Sequence, residues 1–118
     1  MPFKTLLKIE SIRGTDNRKL ITPLVWMHPV SFQVIVVPIG FITNYASIPK
    51  IVRGFVDNDS GHIRDAAVIH DYLYSCPDAS RRDADDILRL AMRDLGASWL
   101  KRNVVWLSVR ALGWMFKA

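Results

Sequence analysis

Apolar residues fall in short runs through the first half of the chain and recur every three to four positions through the second. Lys4 to Ile12 mixes apolar and polar residues, and Gly14-Thr15-Asp16-Asn17 is a turn signal. Leu20 to Met27 is rich in β-branched and aromatic residues, with Pro23 marking an edge strand or a bulge. Phe32-Gln33-Val34-Ile35-Val36-Val37 is the clearest strand, stopped by Pro38 and Gly40. Residues 1–50 therefore predict a small antiparallel β-sheet. Residues 58–118 predict three α-helices. Asn58-Asp59-Ser60 can cap a helix from about His62 to Ser75, ended by Cys76-Pro77. Ser80 can cap a second helix to about Leu95, with Gly96 as its stop, and Ser98 a third that runs to the C-terminus. Strands followed by helices make an α+β fold, here one domain over residues 1–118.

The helical periods also place side chains. Ala66, Ile69, His70 and Leu73 form one stripe of the first helix, so His70 lies on its apolar face. Asp71 is turned about 100° away, beside Ala67 and Tyr74. In the second helix Asp85 shares a face with Leu88 and Met92, while Asp83 and Asp86 point elsewhere. The loop from Cys76 to Ala79 is short enough to force an antiparallel hairpin. His70 and Asp85 should then meet across it, with the small Ala66 and Ala67 allowing close approach.

Composition adds modest limits. Half of the 118 residues are apolar, enough for a core. The single Cys76 excludes an internal disulfide framework and a cysteine-based zinc cluster. Met1-Pro2-Phe3-Lys4 has no signal-peptide h-region, so secretion by its own signal is not expected. The net charge is +5, unevenly spread: Asp65 to Asp86 holds six of the eleven acids, and none follows Gly96. The basic tail interleaves Trp99, Lys101, Arg102, Trp106, Arg110 and Trp114, with Leu100, Val104, Leu107, Ala111 and Trp114 on one stripe. That stripe can pack on the sheet as a core helix. The same composition suits an anionic lipid surface or a partner protein. In this tail the longest uncharged run, Asn103 to Val109, has seven residues, far short of the roughly 20 that span a bilayer. No nucleic-acid reading motif stands out.

The His-Asp pair admits two readings. It can be a hydrogen-bonded core pair. It can also be a general base: Asp85 would fix the tautomer of His70, whose other nitrogen would take a proton from water. Asp71 would then be a hard oxygen ligand suited to calcium. The run Asp65 to Tyr74 followed by Ala84-Asp85 resembles the active-site helices of phospholipase A2-type domains, most nearly those of parvovirus capsid proteins. The resemblance implies His70 as base, Asp71 as calcium ligand, Asp85 as orienter and Tyr74 as supporting aromatic. Those enzymes also carry a glycine-rich calcium loop upstream, and this chain has none: Gly40 and Gly54 stand alone.

A wider resemblance covers Pro38 to Pro49, His70 to Tyr74, Arg82-x-Ala84-Asp85 and Trp114, and it is to a family of small uncharacterised phage and prophage proteins. Their Thr-Asp-aromatic-Ala-Ser-Ile-Pro segment reads Thr43-Asn44-Tyr45 here, which removes a carboxylate. Asn44 and Ser47 are candidate site residues on that loop, or parts of a strand-to-helix turn. Two functions follow as expectations. One is a calcium-dependent lipid ester hydrolase, or a degenerate relative, at the host membrane. The other is a non-enzymatic virion component of the tail or tail tip, or an assembly protein, whose partners are other phage proteins. A His-Asp metal phosphohydrolase fits poorly, because only His28 and His62 remain as further imidazoles.

Overall fold

The fold is taken from a computed structural model, which describes residues 3–5, 7–15, 17–44 and 63–112. Those residues form strands β1 (Ile9–Ser11), β2 (Arg18–Leu20), β3 (Leu24–Met27), β4 (Val34–Val37) and β5 (Ile42–Thr43), then helices α1 (Arg64–Ser75), α2 (Arg81–Asp94) and α3 (Trp99–Leu112). The arrangement is α+β, as the order of patterns predicts.

The strands make two small antiparallel sheets where one was expected. β1-β2-β5 is one, with Ile9 opposite Leu20 and Arg18 opposite Thr43. β3-β4 is the other, with Leu24 opposite Val37 and Met27 opposite Val34. The expected single strand Leu20 to Met27 is broken at Ile21 to Pro23. Proline has no N–H for a ladder, and the chain changes sheets there. The β5 pairing was hidden, since two residues are too short to show a period. Leu24, Trp26, Ile35 and Val37 are buried while Val34 and Val36 are exposed, the alternation of a sheet covered on one face.

Helix ends follow local chemistry. Ser80 Oγ accepts from Asp83 N at 3.0 Å, capping α2. At its other end Gly96, at φ 90°, donates to Arg93 O, and Ala97 N donates to Met92 O. That is a Schellman motif, and a side chain at Gly96 would clash with its own carbonyl. Ser98 Oγ accepts from Lys101 N and caps α3. α1 begins at Arg64 with no side-chain cap on Ile63, and the cap residues Asn58 to Ser60 lie outside the described residues.

α1 is the central helix. Ala66 to His70 are all buried, because one side packs on α2 and another on β4 and β5. α2 is tied to the second sheet by Trp26 Nε1, which donates to Asp94 Oδ2 at 3.0 Å. α3 packs chiefly on α2. It does so through Val105 and Val109, both fully buried, whereas Leu100 and Leu107 of the expected core stripe are each 59% exposed.

Candidate functional site

Helical spacing brings His70 of α1 against Asp85 of α2, with Nε2 2.7 Å from Oδ1. Tyr74, one turn after His70, donates its hydroxyl to the same oxygen at 2.6 Å. Its ring lies 4.1 Å from the imidazole, centroid to centroid. The second carboxylate oxygen, Oδ2, receives Arg110 Nη1 from α3 at 3.0 Å, with Arg81 Nη1 farther off at 3.9 Å. One carboxylate thus joins all three helices. His70 and Asp85 are both 0% exposed.

The electrostatics follow from this geometry. Burial alone would raise the Asp85 carboxyl. Hydrogen bonds from His70, Tyr74 and Arg110, together with the attraction of His70, outweigh it and hold the group below the ordinary carboxylate range. Burial and the neighbouring carboxylate push the Tyr74 phenol the other way, far above its ordinary value. At neutral pH the site is therefore an ionised carboxylate served by a neutral phenol, an imidazole and a guanidinium. Arg81 is itself held at the end of α3, donating to Val109 O at 3.2 Å and Arg110 O at 2.9 Å. A cation there also complements the C-terminal end of the helix dipole.

Asp71 goes elsewhere. Being about 100° around the helix from His70, it faces β5, where Thr43 Oγ1 donates to its Oδ2. Among the described residues no three His, Cys, Asp or Glu side chains stand together as a metal site. The Asp71 carboxylate with a hydroxyl partner does not by itself make the oxygen cage that calcium requires.

The other candidates separate by environment. Asn44 is exposed beside Thr43. Ser47 and Trp114 lie outside the described residues. Arg110, expected on a contact face, turns inward to Asp85. Trp106 donates to Asp86 Oδ1 at 2.9 Å and carries the Arg89 guanidinium over its ring at 4.2 Å, so it serves the α2–α3 contact. Trp99 remains exposed, and Lys101 and Arg102 are half-buried. Two partners escaped sequence reasoning. Arg81 had a signal, its position four residues before Asp85. Thr43 stood in the Thr43-Asn44-Tyr45 segment, but its partner was hidden, since the pairing depends on where β5 meets α1.

A family model described as a protein of unknown function, DUF1353, matches residues 18–109, from β2 nearly to the end of α3. The chain belongs to the DUF1353 family. The DUF1353 match takes in the whole His70–Tyr74–Asp85–Arg81 cluster and Thr43–Asp71, and stops one residue short of Arg110. No curated protein and no solved structure matches the chain.

Proposed function

We propose that this DUF1353 protein is a phage- or prophage-encoded, non-enzymatic component of a virion or of its assembly. On this reading its phospholipase A2-like helices serve as a scaffold. The observation that carries the reading is the burial of the polar cluster. A general base has to reach a water molecule beside its substrate, and both His70 and Asp85 have no exposed surface. Asp85 on α2 holds three partners, His70 and Tyr74 from α1 and Arg110 from α3, the arrangement of a structural lock. The molecule meanwhile exposes Val30, Phe32, Val34, Val36 and Ile39 on and around the second sheet, an apolar surface suited to a protein neighbour. The phage assignment rests on the likeness of residues 38–49 and 70–85 to small phage proteins.

The test has two arms. Purified protein is mixed with phosphatidylglycerol-containing vesicles and calcium, and free fatty acid is measured. No release above the protein-free rate is expected. In the second arm, virions or assembly intermediates from cells expressing tagged protein are probed for it. A His70→Gln variant that folds should still associate with them. Calcium-dependent release that is abolished in the folded His70→Gln protein would overturn the proposal.

That outcome would establish the second reading, a lipid ester hydrolase. Its support is the 2.7 Å contact from Asp85 to one ring nitrogen of His70, the relation of an orienter to a base, with Tyr74 on the same oxygen. In that case His70 would take the proton of the attacking water and Asp85 would stabilise the resulting imidazolium.

A further inference from the structure

A cleft of about 210 Å³ opens between α2 and α3, away from the buried carboxylate, and is lined by Arg89, Leu90, Arg93, Trp99, Arg102 and Asn103. Three guanidiniums therefore share one small opening. Among the described residues the one carboxylate within 4.0 Å of any of them is Asp94, at 4.0 Å from Arg93 Nε, while Asp86, one turn before Arg89, is engaged by the Trp106 indole. The other oxygen of that carboxylate already accepts the Trp26 indole. Neutral groups hold the remaining two arginines. Arg89 lies over the Trp106 ring and donates to Asn103 Oδ1 at 3.3 Å, and Arg102 donates to Ala97 O at 3.3 Å. These contacts fix the forks without cancelling their charge. Positive charge held this way is relieved by an anion, and planar guanidiniums match phosphate oxygens two at a time.

The size and the rim narrow the ligand. Pockets that enclose a whole drug-sized molecule run from about 300 Å³ upward, so this cleft suits a phosphate-bearing head rather than an entire metabolite. Trp99 on its wall is 68% exposed, and the next residue, Leu100, is 59% exposed. Helical spacing places Trp99 and Asn103 between the buried Val105–Val109 stripe and the exposed Leu100–Leu107 stripe. A cationic cleft bordered by exposed tryptophan and leucine is the composition of a surface that rests on anionic lipid. We propose that the cleft binds the headgroup phosphate of an anionic phospholipid, with Arg93 and Arg102 on the phosphate and Trp99 and Leu100 entering the interface. The proposal requires no hydrolysis and stands apart from the role of His70.

Flotation of the full chain with phosphatidylcholine vesicles, with and without phosphatidylglycerol, tests it. Binding is expected with the anionic lipid only, weakening as salt rises. Arg93→Gln with Arg102→Gln should weaken binding about 30-fold, at about five-fold for each arginine near the surface. Lys8→Gln with Lys19→Gln removes the same charge from exposed positions at and beside the first sheet and should weaken it by no more than about three-fold. Circular dichroism and the unfolding midpoint establish that both double variants fold. Equal losses in the two pairs would reduce the effect to net charge and overturn the site. Equal binding to both vesicle types would overturn it too. Binding of inorganic phosphate without vesicle binding, or tighter binding to an oligonucleotide than to vesicles at equal salt, would overturn the lipid assignment.

Discussion

Asp85 is the residue on which the helical half depends. Its charge is matched by His70, Tyr74 and Arg110, so removing it strands a guanidinium and a phenol at once. Asp85→Asn should cost about 3 kcal/mol in urea unfolding, at the low end for breaking a buried pair because Arg110 is partly exposed. Asp78→Asn, on the exposed hairpin loop, should change stability by less than about 0.5 kcal/mol. The pH dependence has a definite sign. The folded carboxyl lies below its ordinary value, so its contribution is complete above the unfolded value of about 3.9 and is lost as pH falls through the lower folded value. Urea midpoints measured from neutral pH down through that window should fall more steeply for the wild type than for Asp85→Asn. Equal slopes would show that other groups govern acid unfolding. At this scale the His70–Asp85 contact was legible, because period and loop length alone put both residues on facing stripes. Arg110 was not, since a cation 25 positions away on an amphipathic helix reads as surface until the third helix is packed.

At the scale of elements, the caps were legible and one face was not. Ser80, Gly96 and Ser98 act through neighbouring backbone groups, so spacing was enough to find them. Ser80→Ala should cost about 1 kcal/mol. Gly96→Ala should be destabilising by about the same amount, because φ 90° disfavours any side chain. α3 is apolar on several sides, and its period picked out the Leu100–Leu107 stripe, which the fold leaves exposed. Packing on α2 selected Val105 and Val109. Val105→Ala and Val109→Ala should each cost about 1–3 kcal/mol, and Leu100→Ala and Leu107→Ala less than about 0.5 kcal/mol, by chemical denaturation. The reverse order would mean that the exposed stripe is the core face.

For the whole molecule, the second sheet, α1, α2 and α3 share one contiguous core running from Leu24 and Trp26 through Ile69 and Leu88 to Val105 and Val109. Unfolding should therefore be a single transition, with tryptophan fluorescence and far-ultraviolet circular dichroism giving the same midpoint. Trp26→Phe removes the indole bond to Asp94 that ties sheet to helix and leaves a carboxylate short of a donor. A loss of about 2–3 kcal/mol is expected, with one transition retained.

The sequence alone determined what depends on near neighbours: the order of strands and helices, the helix ends, and the meeting of His70 with Asp85 across a short loop. Tertiary structure decided what depends on distant ones. It split the strands into two sheets at Pro23, turned Asp71 toward Thr43 and Arg110 toward Asp85, chose the buried stripe of α3, and gathered Arg89, Arg93 and Arg102 around one cleft. The physical reason is range. Backbone capping and helical periodicity act within one or two turns, whereas burial and charge pairing are settled only when separate elements compete for the same surface.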